Sequence, residues 1–348
     1  MVKVLTIDDS VFMRTVIRDM LVKDPSIEVV GTASNGIEAL EKIQALKPDV
    51  ITLDIEMPKM NGLEVLRELQ KEKARPKVIM LSSLTSKDAD STVEAIRLGA
   101  DDFMLKPKDI PHVRDIADEL VAKVKHLMTL DAAPRSIQKS DRPEGAARRV
   151  VLIGSSAGGP PMLDTLLAAL PTDLPAGVII TQHMPTGFTA ALAERFNRIA
   201  RLPVKETENG DIVETGKILL SKAGVHTVIS GVIDGNGSRT GRIVHTSAPP
   251  LHGVRPAVDK TFESAAQVYG NRCVSVILSG MGNDAGGGAR AVKEAGGVSI
   301  LCDEKDCLVY GMARSAIQHN AVDRVLPLTS LAAEIERVVL QMGDNNGV

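Results

Sequence analysis

Val50-Ile51-Thr52-Leu53-Asp54-Ile55-Glu56-Met57-Pro58-Lys59-Met60-Asn61-Gly62 decides the fold of the first third of the chain. Its opening residues, Val50–Leu53, read as a short strand buried on both faces. The strand ends in an acid, passes through a proline, and gives way at Gly62 to apolar residues at helical spacing up to Gln70. On either side the same strand-then-helix unit returns. Val2–Ile7, Ile27–Thr32, Lys77–Leu81 and Asp102–Leu105 are strand-like, and Val11–Leu21, Gly36–Leu46, Asp88–Leu98 and Val113–Met128 carry helical period. Five βα units predict one parallel sheet wrapped by helices, over residues 1–128.

The pattern stops at Thr129. Residues 129–147 hold two prolines and no apolar period, which predicts a linker. A second alternating series fills residues 148–348, with strands at Arg149–Ile153, Gly177–Thr181, Lys217–Leu220, Cys273–Leu278, Gly297–Leu301 and Val325–Leu328. A hairpin-like pair surrounds Asp234-Gly235-Asn236-Gly237. The fold class expected is therefore α/β, with two doubly wound parallel-sheet domains and a β-ribbon inserted in the second.

Composition agrees and excludes other classes. The 348 residues suffice for two domains, with 44% hydrophobic and 24% charged residues. Aromatics are only 2%, so Val, Ile, Leu, Ala and Met must fill the cores, as suits covered parallel sheets. A net charge of −3 without a basic stretch argues against nucleic acid as a partner. The apolar runs fall far short of the roughly 20 residues a spanning helix needs, so no membrane insertion is expected. Asp8 and Asp9 interrupt the N-terminus before a signal-peptide core could form, which points to the cytoplasm. Cys273, Cys302 and Cys307 have no zinc or redox spacing and read as reduced thiols.

Ligands of parallel sheets gather at the carboxyl ends of the strands. In the first domain those ends carry Asp8 and Asp9, Asp54, Ser82 and Ser83, and Lys106. Three acids meeting in one crevice call for a hard cation such as Mg²⁺, and Asp54 then becomes a candidate acceptor of a phosphoryl group. One acid at a strand end often only caps the next helix; the whole set is harder to explain that way. Asp8-Asp9-Ser10, Leu53–Gly62 and Lys106-Pro107 resemble the receiver domains of bacterial response regulators, which have a flavodoxin-like fold. The resemblance implies Asp54 as phosphoacceptor, Asp8, Asp9, Asp54 and the Glu56 carbonyl as Mg²⁺ ligands, and Ser82, Phe103 and Lys106 as the switch hydroxyl, switch aromatic and phosphate-binding lysine.

In the second domain a strand runs into Gly154-Ser155-Ser156-Ala157-Gly158-Gly159-Pro160. The loop departs from the G-x-G-x-x-G dinucleotide pattern, and no acid closes the next strand. It suits a serine nucleophile at a helix N-terminus, where free N–H groups would face an oxyanion. His183 follows the strand Gly177–Thr181, and Asp284 lies in the loop after Cys273–Leu278. A serine that attacks a carbonyl needs a neutral imidazole held by a carboxylate, and these residue types supply both. Spacing alone does not choose between Ser155 and Ser156. Ile153–Pro160, Thr181-Gln182-His183-Met184-Pro185 and Gly280-Met281-Gly282-Asn283-Asp284 resemble the signature segments of the chemotaxis protein-glutamate methylesterase family, CheB.

That resemblance places the nucleophile at Ser156, the general base at His183, the orienting acid at Asp284 and an oxyanion donor at the Met281 N–H, on a Rossmann-like domain that needs no cofactor. It implies hydrolysis of glutamate methyl esters on methylated chemoreceptors, with glutamine deamidation as a further activity and a sensor histidine kinase as phosphodonor. Ala285 stands where the family has glycine, Leu220–His226 lacks the usual proline, and the roles of His226 and Arg255 stay open. Two other readings compete: a regulator whose second domain is inert and only binds a partner, and a nucleotide-binding regulator using the glycine loop.

Overall fold

The computed structural model describes residues 1–72, 74–82, 91, 94–106, 113–129, 145–233 and 239–342. The chain forms two compact units, Met1–Asp131 and Ala132–Val348.

In the first unit, β1 (Val2–Ile7), β2 (Ile27–Ala33), β3 (Val50–Asp54), β4 (Lys77–Ser82) and β5 (Asp102–Leu105) form a parallel sheet of order β2-β1-β3-β4-β5. Helices α1 (Val11–Leu21), α2 (Gly36–Leu46), α3 (Gly62–Leu69) and α4 (Val113–Thr129) accompany it. Of the helix expected at Asp88–Leu98, residues 94–97 are helical, and 88–90, 92 and 93 lie outside the described residues. Alternate residues of each strand feed two apolar layers: Leu5, Ile7, Ile51 and Leu53 pack with α3, and Val4, Val50 and Ile79 with α1 and α4. The start of α3 is fixed tightly under the end of β3. Asn61 and Glu64 make a reciprocal capping box at 3.0 and 2.8 Å, and Gly62 leaves no room for a Cβ, which would fall 2.2 Å from the Asp54 carbonyl oxygen.

In the second unit, seven parallel strands run in the order β14-β13-β12-β6-β7-β9-β8. They are β6 (Val150–Ser155), β7 (Gly177–Gln182), β8 (Val204–Glu206), β9 (Ile218–Leu220), β12 (Cys273–Ile277), β13 (Val298–Cys302) and β14 (Arg324–Leu326). The helices are α5 (Gly159–Ala169), α6 (Phe188–Ile199), α7 (Val258–Tyr269), α8 (Gly286–Glu294), α9 (Gly311–Gln318) and α10 (Leu328–Gln341). β6 is the switch point: the chain proceeds to one side of it through β7 and returns on the other side at β12. The ribbon expected around residue 235 is the antiparallel pair β10 (His226–Ile233) and β11 (Arg239–Thr246); its turn, 234–238, lies outside the described residues. It docks through buried Tyr269 of α7, whose hydroxyl accepts the Gly241 N–H at 2.9 Å.

Residues 145–147, counted in the connecting stretch from the sequence, are held by the second unit: Ala147 is buried and its N–H donates to the Val213 carbonyl at 2.8 Å. The edge strand β8, three residues long, has no counterpart among the expected strands. All three cysteines are free thiols. Among the described residues no helix is long and apolar enough to cross a membrane.

Candidate functional site

At the carboxyl edge of the first sheet, ligand atoms of Asp8, Asp9 and Asp54 lie within 4.8 Å of one another. Lys106 sets its ammonium among them, 2.9 Å from Asp8 Oδ2 and 2.7 Å from Asp54 Oδ1. Burial pushes the Asp54 carboxyl up to about 6; the Lys106 hydrogen bond and charge offset only part of this, and Asp8 and Asp9 add to it. Burial also works against the Lys106 ammonium, but Asp54 and Asp8 outweigh it and hold the lysine above its ordinary value. Among the described residues, one lysine pairs with these three carboxylates, which leaves net negative charge on hard oxygen donors, a set that fits Mg²⁺.

The other expected switch residues are placed as follows. Glu56 follows β3 by two residues and is exposed. Phe103 is half-buried in β5 against the core, with Met80 as its register partner. Ser82 ends β4, and its side chain lies outside the described residues, as do Ser83 and Pro107. Arg14, which the sequence reading passed over, donates to the Asp8 and Asp9 carbonyls at 2.6 and 2.9 Å. Its place one turn into α1 was the available signal.

In the second unit, Ser156, His183 and Asp284 follow β6, β7 and β12, three neighbouring strands. The Ser156 N–H donates to the Ser279 carbonyl at 2.9 Å, tying the serine loop to the loop that carries Met281 and Asp284. That loop has no space for a Cβ at Gly280, where it would meet Met312 Sδ at 2.0 Å and the Ser156 Cβ at 3.0 Å. His183 Nε2 lies 2.8 Å from Asp284 Oδ2, and both side chains are nearly buried. Asp284 also accepts the N–H groups of Val258 (2.6 Å), Asp259 (2.9 Å) and Ala285 (2.9 Å). Burial would raise its carboxyl, yet the His183 hydrogen bond and charge and the backbone N–H groups prevail and hold it below the ordinary value. An ionised Asp284 only accepts, so Nε2 carries a hydrogen, and in the neutral imidazole this tautomer leaves the lone pair on Nδ1 of His183. Among the described residues, Ser156 Oγ makes no hydrogen bond.

Ser155 and Ser156 separate clearly. Ser155 is fully buried and its hydroxyl donates to Gln182 Oε1 at 2.6 Å, whereas Ser156 is half-buried at the rim. Gln182, missed in the sequence although it adjoins His183, donates from Nε2 to the Ser156 and His183 carbonyls, each at 2.9 Å, and so fixes both loops. The N–H groups expected at this helix N-terminus are sought in the loop before α5, because its first turn has few to offer. The Gly159 N–H is spent on the Ser156 carbonyl at 2.9 Å, and Pro160 and Pro161 have none. Among the described residues, the N–H groups of Ala157 and Met281 make no hydrogen bond, and the Met281 side chain is exposed.

Two residues left open by the sequence are braces. His226, fully buried, accepts the Ala257 N–H on Nδ1 at 3.2 Å and reaches the Pro249 carbonyl from Nε2 at 3.0 Å. Arg255 donates to the Ser247 and Ala248 carbonyls of its own loop at 3.2 and 3.1 Å.

The family model described as response regulator receiver domain matches residues 4–118, and the one described as CheB methylesterase matches residues 151–335. The chain is 57% identical over 344 residues to protein-glutamate methylesterase/protein-glutamine glutaminase 1 of Methanospirillum hungatei, covering 98% of this chain and 99% of that one. It is 40% identical over 365 residues to the protein-glutamate methylesterase/protein-glutamine glutaminase of Pyrococcus horikoshii, covering 99% and 96%. The crystal structure of the Thermotoga maritima CheB methylesterase catalytic domain superposes with a TM-score of 0.52 at 37% identity, covering 55% of this chain and 98% of that one. By class the chain is a response regulator, a receiver joined to an output unit. Within that class it belongs to the CheB methylesterase family.

Proposed function

We propose that this protein hydrolyses glutamate methyl esters on chemoreceptors, releasing methanol, and deamidates glutamine, at a rate set by phosphorylation of its receiver. The observation that supports this reading is the His183–Asp284 pair, whose residues follow the two strands flanking β6, the strand that leads to Ser156. The curated relatives bear the names of both activities.

Ser156 Oγ attacks the ester carbonyl carbon while His183 Nδ1 takes the hydroxyl proton. The Met281 N–H, with that of Ala157 beside the serine, donates to the oxyanion. Collapse of the tetrahedral intermediate breaks the bond to methoxide, which leaves as methanol with the proton from His183. Water, deprotonated by the same nitrogen, then releases the glutamate and restores the serine. Asp284 keeps the imidazole in the tautomer that presents Nδ1 and stabilises the imidazolium. The open contact at Ser156 Oγ is usual for a site without substrate.

In the receiver, Asp54 accepts the phosphoryl group from a sensor histidine kinase or a small phosphodonor. Asp8, Asp9, Asp54 and the Glu56 carbonyl are the residues to hold Mg²⁺, which supplies charge neutralisation during the transfer. Lys106 pairs with the phosphorylated side chain, and Ser82 and Phe103 respond to it. The reaction belongs in the cytoplasm.

The test is methanol release from methylated receptor membranes by wild type and Ser156→Ala, each with and without Mg²⁺ and a small phosphodonor. Release should rise on phosphorylation and fall by about 10⁴-fold or more in the variant. Folded wild type that releases nothing from several receptors refutes the proposal in favour of an inert, partner-binding second unit.

A further inference from the structure

The first turns of α7 and α8 exchange their caps. Neither helix has a capping side chain of its own, since the N-cap residues are Ala257 and Ala285. Asp284, just before α8, takes the N–H groups of Val258 and Asp259 in α7. In return Asp259, in the first turn of α7, takes the Gly288 N–H of α8 at 2.6 Å. The helices approach closely enough for this only through glycine: a Cβ on Gly288 would lie 2.6 Å from the Phe262 Cβ and 3.0 Å from the Asp259 Cα. Each carboxylate also carries one histidine, His183 on Asp284 and His252 on Asp259, with His252 Nε2 at 2.9 Å from Oδ2.

Two buried carboxylates side by side repel each other. Burial first, and then the charge of Asp284, hold the Asp259 carboxyl above its ordinary value, against the pull of the Gly288 N–H and His252. His252, Asp259 and Asp284 all present ligand atoms within 4.8 Å of one another. Yet each of the four carboxylate oxygens already accepts at least one hydrogen bond, from Gly288, His252, Val258, His183, Asp259 or Ala285. The group is a hydrogen-bonded relay and not a cation cradle. His252 itself sits at the first central position of a two-residue turn. Leu251 and Val254 bond to each other in both directions, and His252 and Gly253 have φ of 54° and 78°. This is the type I′ pattern, in which asparagine or glycine is the favoured first residue. The imidazole there serves the contact and not the turn.

We infer that His252 is a positioning residue: by holding the Asp259 carboxylate in place it maintains the cap exchange that aims Asp284 at His183. The inference rests on the proposed roles of His183 and Asp284. His252→Asn keeps the turn but is too short to reach Asp259, whereas His252→Gln keeps an N–H donor at comparable reach. In the full chain, His252→Asn should lower kcat for methanol release by about 10- to 100-fold with KM nearly unchanged, and His252→Gln should recover most of the loss. Adding Asp259→Asn to His252→Asn, which removes the stranded charge, should restore part of kcat.

The second readout is independent of turnover: the downfield proton NMR signal of the His183 Nε2–H, recorded in the Ser156→Ala background. It should shift or vanish on adding His252→Asn and persist on adding His252→Gln. Unchanged kcat and an unchanged signal in His252→Asn, or equal losses in Asn and Gln, would overturn the inference. A signal that responds as expected in a chain that hydrolyses nothing supports the positioning role while the proposed activity fails.

Discussion

At the carboxyl edge of the first sheet the Asp54 carboxyl is pushed up to about 6, whereas at the same edge of the second sheet Asp284 is held below its ordinary value. Burial does not explain the contrast, because Asp54 is 4% exposed and Asp284 only 1%. The donors do. Asp54 leans on a single lysine that it shares with Asp8, with Asp9 close by. Asp284 has three backbone N–H groups and an imidazole to itself. A carboxylate left incomplete is ready to be changed by a cation or a phosphoryl group, as suits a switch. A carboxylate completed by fixed backbone donors stays ionised and aimed, as suits the orienting acid of a triad.

The comparison breaks first at Asp284. Asp284→Asn should lower kcat for methanol release by about 10⁴-fold through loss of the correct His183 tautomer, with a modest drop in Tm because the amide nitrogen cannot accept the backbone N–H it would face. Asp284→Ala should in addition cost about 3 kcal/mol by uncapping α7, visible as a lower Tm. A rate within tenfold of wild type in both variants would remove Asp284 from the chemistry and leave it a cap. Next is the loop behind Ser156. Gly280→Ala forces its Cβ against Met312 and Ser156, and the resulting displacement should lower kcat by about 10²-fold; full activity would mean that the serine does not depend on this loop.

The switch side is tested by Asp54→Asn in EDTA. A carboxyl raised from 3.8 to about 6 keeps its proton in the fold where the unfolded chain has released it. The first unit therefore loses stability as pH rises from about 4 through about 6, and remains at the lower level above. Removing the charge should stabilise this unit by up to about 3 kcal/mol near pH 7.5 and by little near pH 4, read as the transition of the first unit in calorimetry. An equal gain at both pH values would show that Asp54 is not the titrating group.

The smallest effect concerns Ala285, which holds a φ of 78° while fully buried beside Asp284. Ala285→Gly relieves a conformation that L side chains resist, and should raise stability by about 0.5–1 kcal/mol without altering kcat. A lower Tm would mean that the methyl packs better than its backbone suffers.

Much of this architecture was legible in the sequence, for reasons visible at particular residues. Strands such as Val50–Asp54 and Val150–Ser155 are buried along their whole length, so their apolar runs stand out. Their ends are marked because polar residues gather within three positions of each run, Asp54 after Leu53, Ser155 and Ser156 after Gly154, and Gln182 and His183 after Thr181. β8 escaped because Val204-Lys205-Glu206 is too short to show a pattern and lies at the margin of the sheet. The choice between Ser155 and Ser156 needed the direction of a strand, which puts one hydroxyl into Gln182 and leaves the other at the rim. The Asp259–His252 pair was invisible for a different reason. It joins a helix to a turn that approaches it only in the folded chain, and Asp259 reads locally as an ordinary acid near a helix start.

The exchange of caps between α7 and α8 also bears on how this unit can evolve. Among the described residues Ser156 bonds its neighbours only through its backbone, so a descendant that abandoned ester chemistry could replace its side chain at little structural cost. Asp284 has no such freedom, because it closes the start of one helix from the threshold of the other. Inactive descendants of this fold should therefore lose the serine first and retain the aspartate long after it has ceased to orient anything. In such a lineage, an aspartate preserved at this position marks ancestry and architecture, and the serine alone marks an enzyme.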